Sequence, residues 1–204
     1  MRLTTTTQLS VDGVMQAPGV NVGDEERGFE RGGWAHFDDE AGSAMEEIFG
    51  RAGAFLLGRR TYELFASTWG SWPDPGGSAI WTALNNLPKH VPSTTLANPG
   101  WAGTTVLTGD VAAAVRALKA TPGGELQVHG SGALFRWLLE NDLVDEMNLF
   151  TFPVVVGVGT RLFAESGPTT ALQLVDWRST PAGVAISTYR RPGHTSASED
   201  QATS

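Results

Sequence analysis

Hydrophobic and polar positions along the chain alternate between two rhythms. Residues 3–11, LTTTTQLSV, are β-branched and apolar and stop at Asp12-Gly13, the composition of a strand entering a turn. From Asp38 the period lengthens: Ala41, Ala44, Met45 and Ile48 recur at helical spacing behind acidic residues suited to a helix amino end. AFLLG (54–58) reads as a short buried strand, and RRTYELFASTW (59–69) as a helix broken by GSWPDPGGS. KHVPSTTL (89–96) and TTVLTGD (104–110) are further strands, with Asp110 placed to cap VAAAVRALKA. ELQVHGSGALFRWLLENDLV (125–144) repeats strand, glycine turn and helix. DEMNLFTFPVVVG (145–157) is a strand that Pro153 ends, because proline brings no N–H to a ladder. Finally, ALQLVDWRSTPAGVAISTYRR (171–191) alternates on both sides of STPAG, the mark of an antiparallel hairpin. Strands alternating with helices and then a hairpin predict an α/β fold on a mixed sheet. There is no internal repeat.

Composition narrows this picture. The 204 residues, 41% of them hydrophobic, suit a single domain over residues 1–193, and the small polar residues 194–204 (HTSASEDQATS) are expected to form a disordered tail. A formal charge of −8 with 14 basic residues argues against nucleic-acid binding, which needs a broad basic surface, so any anion site must be local. The absence of cysteine excludes disulfides, thiolate catalysis and thiolate-ligated zinc. No apolar run approaches the roughly 20 residues of a membrane span, and MRLTTTTQLSVDG lacks a signal-peptide core; a soluble, cytoplasmic protein without membrane partners is expected.

Two turns carry the candidate chemistry. Gly58-Arg59-Arg60-Thr61 stands where a strand gives way to a helix, and unpaired N–H groups and the helix dipole favour an anion there. Arginine adds a permanently charged fork that matches phosphate. The bland reading is a pair of arginines decorating a surface helix. Val128-His129-Gly130-Ser131-Gly132-Ala133-Leu134 makes a second strand-to-helix turn, but Phe135 stands where the third glycine of a Rossmann fingerprint belongs. The long loop 15–37 is a candidate site wall. In it, Trp34 and Phe37 either stack on a planar ring or belong to the core. His129 either points into the site or is a satisfied core histidine. His36 and Asp38 give only a partial ligand set, so no metal is expected.

In order, SVDG (10–13), LLGRRTYE (56–63), LPKHVPSTTL (87–96), VHGSGAL (128–134) and LVDEMNLFTFPVVVGVGTRLF (143–163) resemble the dihydrofolate-reductase-like superfamily, in particular the branch typified by the reductase domain of RibD, over residues 2–191. The resemblance implies a three-layer α/β/α fold, a mainly parallel sheet with a carboxy-terminal antiparallel hairpin, and NADPH as cofactor. It implies that Gly58, Arg59, Arg60 and Thr61 hold the 2′-phosphate and pyrophosphate, that Ser93 and Thr94 also touch the 2′-phosphate, and that Gly130, Ser131, Gly132, Ala133 and Leu134 pack on the pyrophosphate and nicotinamide side. The family often has a cis peptide between paired glycines; Ser131 in the second place argues against one here, given a cost of about 2.5–4 kcal/mol. The zinc deaminase signature that accompanies the reductase in bifunctional RibD proteins is absent from this sequence.

The implied reaction is reduction of a small heterocycle, similar to 5-amino-6-(5-phosphoribosylamino)uracil reduction in riboflavin biosynthesis. The alternatives are a dihydrofolate or pterin reductase and a non-catalytic nucleotide-binding dimer. The carboxylate that dihydrofolate reductases carry on their first helix falls by spacing at Gly42, which argues against dihydrofolate. Asp39 and Asp12 are the catalytic candidates, each with an ordinary reading as a helix-end or turn aspartate. A substrate phosphate would want a basic cluster, and only Arg27 and Arg31 stand in the loop. NLFTFPVVVGVG is more apolar than a lone edge strand exposes and the family pairs subunits, so a homodimer is expected.

Overall fold

The computed structural model describes residues 1–19, 28–163 and 169–192. Arg27 and the tail 194–204 lie outside the described residues. Eight strands and five helices follow one another as β1 (Leu3–Ser10), α1 (Asp39–Gly50), β2 (Ala52–Leu56), α2 (Arg59–Ser67), α3 (Ala79–Asn86), β3 (Lys89–Pro92), β4 (Thr104–Leu107), α4 (Val111–Ala120), β5 (Glu125–His129), α5 (Gly132–Glu140), β6 (Glu146–Phe152), β7 (Gln173–Ser179) and β8 (Ala185–Arg190). They form one sheet in the order β4-β3-β2-β5-β1-β6-β8-β7. β1 to β6 pair parallel, and β8 joins β6 and β7 antiparallel.

Helices cover both faces of the sheet, as expected of three layers. One core holds Met45, Ile48 and Phe49 of α1, Tyr62 of α2 and Leu84 of α3 against Phe55, Val91, Phe150 and Phe152 of the sheet. The other holds Val115 of α4 and Phe135 and Leu138 of α5 against Leu3, Leu126, Val128 and Met147. Asp38 caps α1, accepting from Ala41 N–H at 2.9 Å, and Asp110 caps α4 through Ala113 N–H at 2.9 Å. Where β2 starts beside β5, a Cβ on Gly53 would stand 2.8 Å from Gly124 N, so glycine is required for that approach.

Two expectations are corrected. Helix α3 is a further element between GSWPDPGGS and KHVPSTTL. Ser78 caps it by accepting from Trp81 N–H at 3.1 Å, and it stops ahead of Pro88. The segment NLFTFPVVVGVG is not an edge strand: NLFTF belongs to β6, an interior strand between β1 and β8 that is buried at six of its seven residues, whereas Val155 and Val158 beyond it are 71% and 53% exposed, and the edge on that side is β7.

Candidate functional site

Because β2 and β5 are neighbouring parallel strands, the turns that follow them emerge side by side at the carboxyl end of the sheet. Side-chain oxygens cap α1, α3 and α4, whereas α2 and α5 begin at Gly58 and Ser131 with no side-chain cap. By helix geometry the N–H groups of Arg59, Arg60 and Thr61, and of Gly132, Ala133 and Leu134, then have no acceptor inside their helices. Gly130 (φ 56°) and Ser131 (φ 57°) are both left-handed, and the change to helical Gly132 turns consecutive N–H groups toward one concavity. The described residues contain no cis peptide, so the Gly130–Ser131 bond is trans.

Ser131 ties the two turns together. Its Oγ accepts from Gly58 N–H at 3.0 Å and lies 2.7 Å from Thr61 Oγ1. A Cβ on Gly58 would stand 3.0 Å from that same Oγ, so a side chain there would push the turns apart. The hydroxyls of Ser131 and Thr61 are therefore committed to each other before any ligand arrives. Of the two arginines, Arg59 donates to Glu63 at 2.7 Å and also to Thr95 Oγ1. Arg60 is exposed and has no hydrogen bond or ion pair among the described residues. Ser93 Oγ accepts from Thr95 N–H at 3.2 Å and Leu96 N–H at 3.0 Å, while Thr94 is exposed beside it. Sequence reasoning missed Thr95, the residue that links this strand end to Arg59. It also missed Met15, whose sulfur lies 2.5 Å from where a Cβ on Gly132 would be.

The other candidates separate. Asp12 is a clamp: its carboxylate accepts from Ser10 Oγ at 2.7 Å, Val156 N–H at 3.0 Å and Gly157 N–H at 2.9 Å. With Leu162 N–H to Gly13 O and Met15 N–H to Thr160 O, it holds the loop after β1 to the loop after β6. The Ser10 hydroxyl foremost, then the Val156 N–H, bring its pKa down to about 2. A carboxylate so occupied stays ionised at neutral pH, and together these contacts hold the two loops to each other. Asp39 is exposed in the first turn of α1, next to Asp38, whose Oδ2 accepts from Ala182 N–H in the β7–β8 turn at 2.9 Å. It lines an open groove of about 310 Å³ with Glu40, Ser43, Glu47, Arg178 and Thr180. None of the residues that line this groove with Asp39 belongs to the glycine turn after β5.

Trp34 takes the core alternative: it is 9% exposed, its Nε1 donates to Gln16 O at 2.9 Å, and its ring meets Phe152 edge-on. Phe37 keeps 41% of its surface exposed above Phe150 and Phe152 and remains available to a planar ligand. Arg31 donates to Val156 O at 2.6 Å, so it braces the loop after β6. His129 is buried directly beneath the glycine turn. Its ring stacks on Phe49 at 4.1 Å, and Nε2 lies 3.0 Å from Gln127 Oε1. Gln127 Nε2 donates to Ile48 O and to Glu125, so Oε1 is the free acceptor and the histidine nitrogen facing it carries the proton. Burial pulls the His129 pKa down to about 3, against an opposing pull from the Glu125 charge. At the foot of the same strand Glu125 meets Arg2 at 2.8 Å and Arg51 at 3.0 Å. Burial pushes the Glu125 pKa up, but the Arg2 and Gln127 hydrogen bonds and the Arg51 charge together hold it below the ordinary value.

Solved structures share this architecture. A protein from Shewanella sp. PV-4 named for riboflavin biosynthesis superposes with a TM-score of 0.70 at 21% identity, over 94% of this chain and 99% of that one. A pyrimidine reductase-like protein from Corynebacterium diphtheriae gives 0.64 at 17% identity, over 93% and 91%. At these identities the likeness is one of fold. The uncharacterized protein YyaP of Bacillus subtilis (strain 168) is 26% identical over 161 residues, 78% of this chain and 84% of its own. The profile of the RibD C-terminal domain matches residues 2–186, and with the paired helix ends in place where that resemblance puts them, the chain belongs to the RibD C-terminal domain family.

Proposed function

We propose that this chain is an NADPH-dependent reductase of a small heterocyclic substrate, acting in the cytoplasm on a compound related to the ribosylaminopyrimidines of riboflavin biosynthesis. The observation that carries the reading is the pair of uncapped helix ends, fastened to each other by Ser131, with the unpaired Arg60 on the first turn of α2. Six N–H groups and a guanidinium suit a pyrophosphate with one further phosphate near it, which favours NADPH over NADH. NADPH supplies the hydride when bound. The chain's own contribution is to hold the dinucleotide at the ends of β2 and β5. The substrate then lies over the ends of β1 and β6, where Phe37 offers an apolar face and the Asp12-clamped loops form the rim. Gly42 on α1 faces open space and brings no acid, so a pterin substrate has no carboxylate partner from that position.

The test is cofactor binding by calorimetry with the wild-type protein and Arg60→Ala. Loss of a charge-assisted phosphate contact, about 1.5–3 kcal/mol, weakens NADPH by about ten- to 150-fold and leaves NADH nearly unchanged. Equal weakening of both cofactors overturns the role of Arg60, and wild-type protein that binds neither cofactor overturns the function. NADPH oxidation against pyrimidine and pterin panels then separates a reductase from a nucleotide-binding protein without turnover.

A further inference from the structure

β1 is an interior strand, with β5 on one side and β6 on the other, and seven of its eight residues are buried. The exception is Gln8, which is partly exposed. On an edge strand a polar side chain meets solvent as a matter of course. On a strand flanked on both sides and covered by helices on both faces, it does so only where the cover opens. The place of that opening follows from the register. Gln8 lies opposite Phe150 of β6, and laterally paired residues share a face, so Gln8 stands on the side of the sheet where Phe150 packs with α1. Two residues earlier Thr6 lies opposite His129, the last residue of β5, and Gly130 N–H donates to Thr6 O. Beyond that point the chain has left the sheet as the glycine turn. On the other side, Phe37 overlies Phe150 and Phe152 with ring centroids 6.1 and 5.1 Å away. Gln8 therefore stands between the turn assigned to the cofactor and the exposed aromatic face assigned to the substrate.

Its carboxamide is unused. Along the same face Thr6 Oγ1 accepts from Asn148, while Ser10 Oγ donates to Asp12 and accepts from Val14 N–H at 2.9 Å. The Gln8 side chain makes no hydrogen bond among the described residues. A glutamine amide presents a donor and an acceptor side by side. That is the complement of the adjacent N–H and C=O of a lactam ring, and the two close a cycle of two hydrogen bonds, as glutamine does with the paired donor and acceptor of adenine. An amidine edge offers two donors instead and calls for a carboxylate. Asp12, the acid that follows β1, is occupied by its clamp.

We propose that Gln8 is the specificity-determining residue of the substrate side, pairing with the lactam edge of a planar heterocycle that lies against Phe37. The inference rests on the reading of this opening as the substrate side of a reductase. It narrows the substrates to oxo heterocycles and excludes their amino counterparts.

The probes are lumazine, a pteridine dione with lactam edges, and diaminopteridine, the same ring with amidine edges, each titrated by ring fluorescence with and without NADPH. The wild type should prefer lumazine by at least about tenfold. Gln8→Leu keeps the bulk without a polar atom and should erase the preference by weakening lumazine about tenfold. Gln8→Glu turns the donor into a second acceptor and should invert the preference, a change that a merely structural role for Gln8 would not produce. Both variants should bind NADPH as the wild type does, within about twofold, and should unfold at the same urea concentration, because Gln8 is partly exposed and bonded to nothing. If Gln8→Glu does not fold, Gln8→Leu alone decides. A wild type that binds neither probe at about 1 mM, or a preference that the substitutions leave untouched, overturns the inference whatever NADPH does. Lumazine selectivity that inverts as expected in a protein that binds no NADPH keeps the assignment of Gln8 and overturns the reductase reading instead.

Discussion

The buried imidazole of His129 makes the protein's acid tolerance calculable. Its ring is fully enclosed, stacked on Phe49 and hydrogen-bonded to Gln127, and its pKa is about 3 in the fold, against about 6.5 when unfolded. Because the folded value is the lower one, the unfolded chain binds the extra proton between about pH 3 and 6.5, and stability falls as pH falls through that window. The slope approaches about 1.4 kcal/mol per pH unit, and between pH 7 and pH 5 this one group costs about 2 kcal/mol. His129→Gln removes the titration but keeps a donor for Gln127. At pH 7 the variant should be less stable by about 1 kcal/mol, the worth of a ring stack. At pH 5 the order should reverse, because only the wild type has lost its share. Urea unfolding followed by tryptophan fluorescence at both pH values gives the two differences directly, and the remaining histidines titrate alike in both proteins and cancel. Parallel stability profiles, or a His129 ring resonance titrating above pH 5, would refute the reasoning.

Two further substitutions probe the site and its foundation. Ser131→Ala removes the hydroxyl shared by Gly58 N–H and Thr61 Oγ1; it should cost about 1 kcal/mol in unfolding and weaken NADPH and NADH to the same degree, the opposite signature from Arg60→Ala. Glu125→Gln leaves Arg2 and Arg51 facing a neutral amide at the base of β5. Since both arginines are partly exposed, the loss should sit at the low end for a broken buried pair, about 3 kcal/mol at pH 7 by urea unfolding, and a change under 1 kcal/mol would show that solvent already screens the pair.

The fold was legible where periodicity was strong. The switch from alternating to helical spacing located β1, α1, α4 and α5, and STPAG located the β7–β8 turn. What could not be read locally was lateral order. Nothing in NLFTF distinguishes a strand flanked on both sides from an exposed edge, because both are apolar; β6 is interior only because the return strand β8 inserts between it and β7. Helix α3 escaped notice because the proline- and glycine-rich stretch before it hides a serine cap and a short apolar repeat. At the site, both glycine turns were visible as motifs, but the division of labour between Arg59 and Arg60 depends on Glu63 and Thr95, the latter 36 residues away. Asp12 drew attention as a turn aspartate, and its partners Val156 and Gly157 come from a segment more than 140 residues on.

Asp38 fastens the first helix to the last hairpin, one oxygen on Ala41 and the other on Ala182. During synthesis these partners leave the ribosome 144 residues apart, so the local cap on Ala41 can close early, whereas the tie between α1 and the hairpin waits until β7 and its turn have emerged. A nascent chain arrested before the β7–β8 turn would lack the Ala182 partner of Asp38 and so leave an unclosed flank beside Asp39.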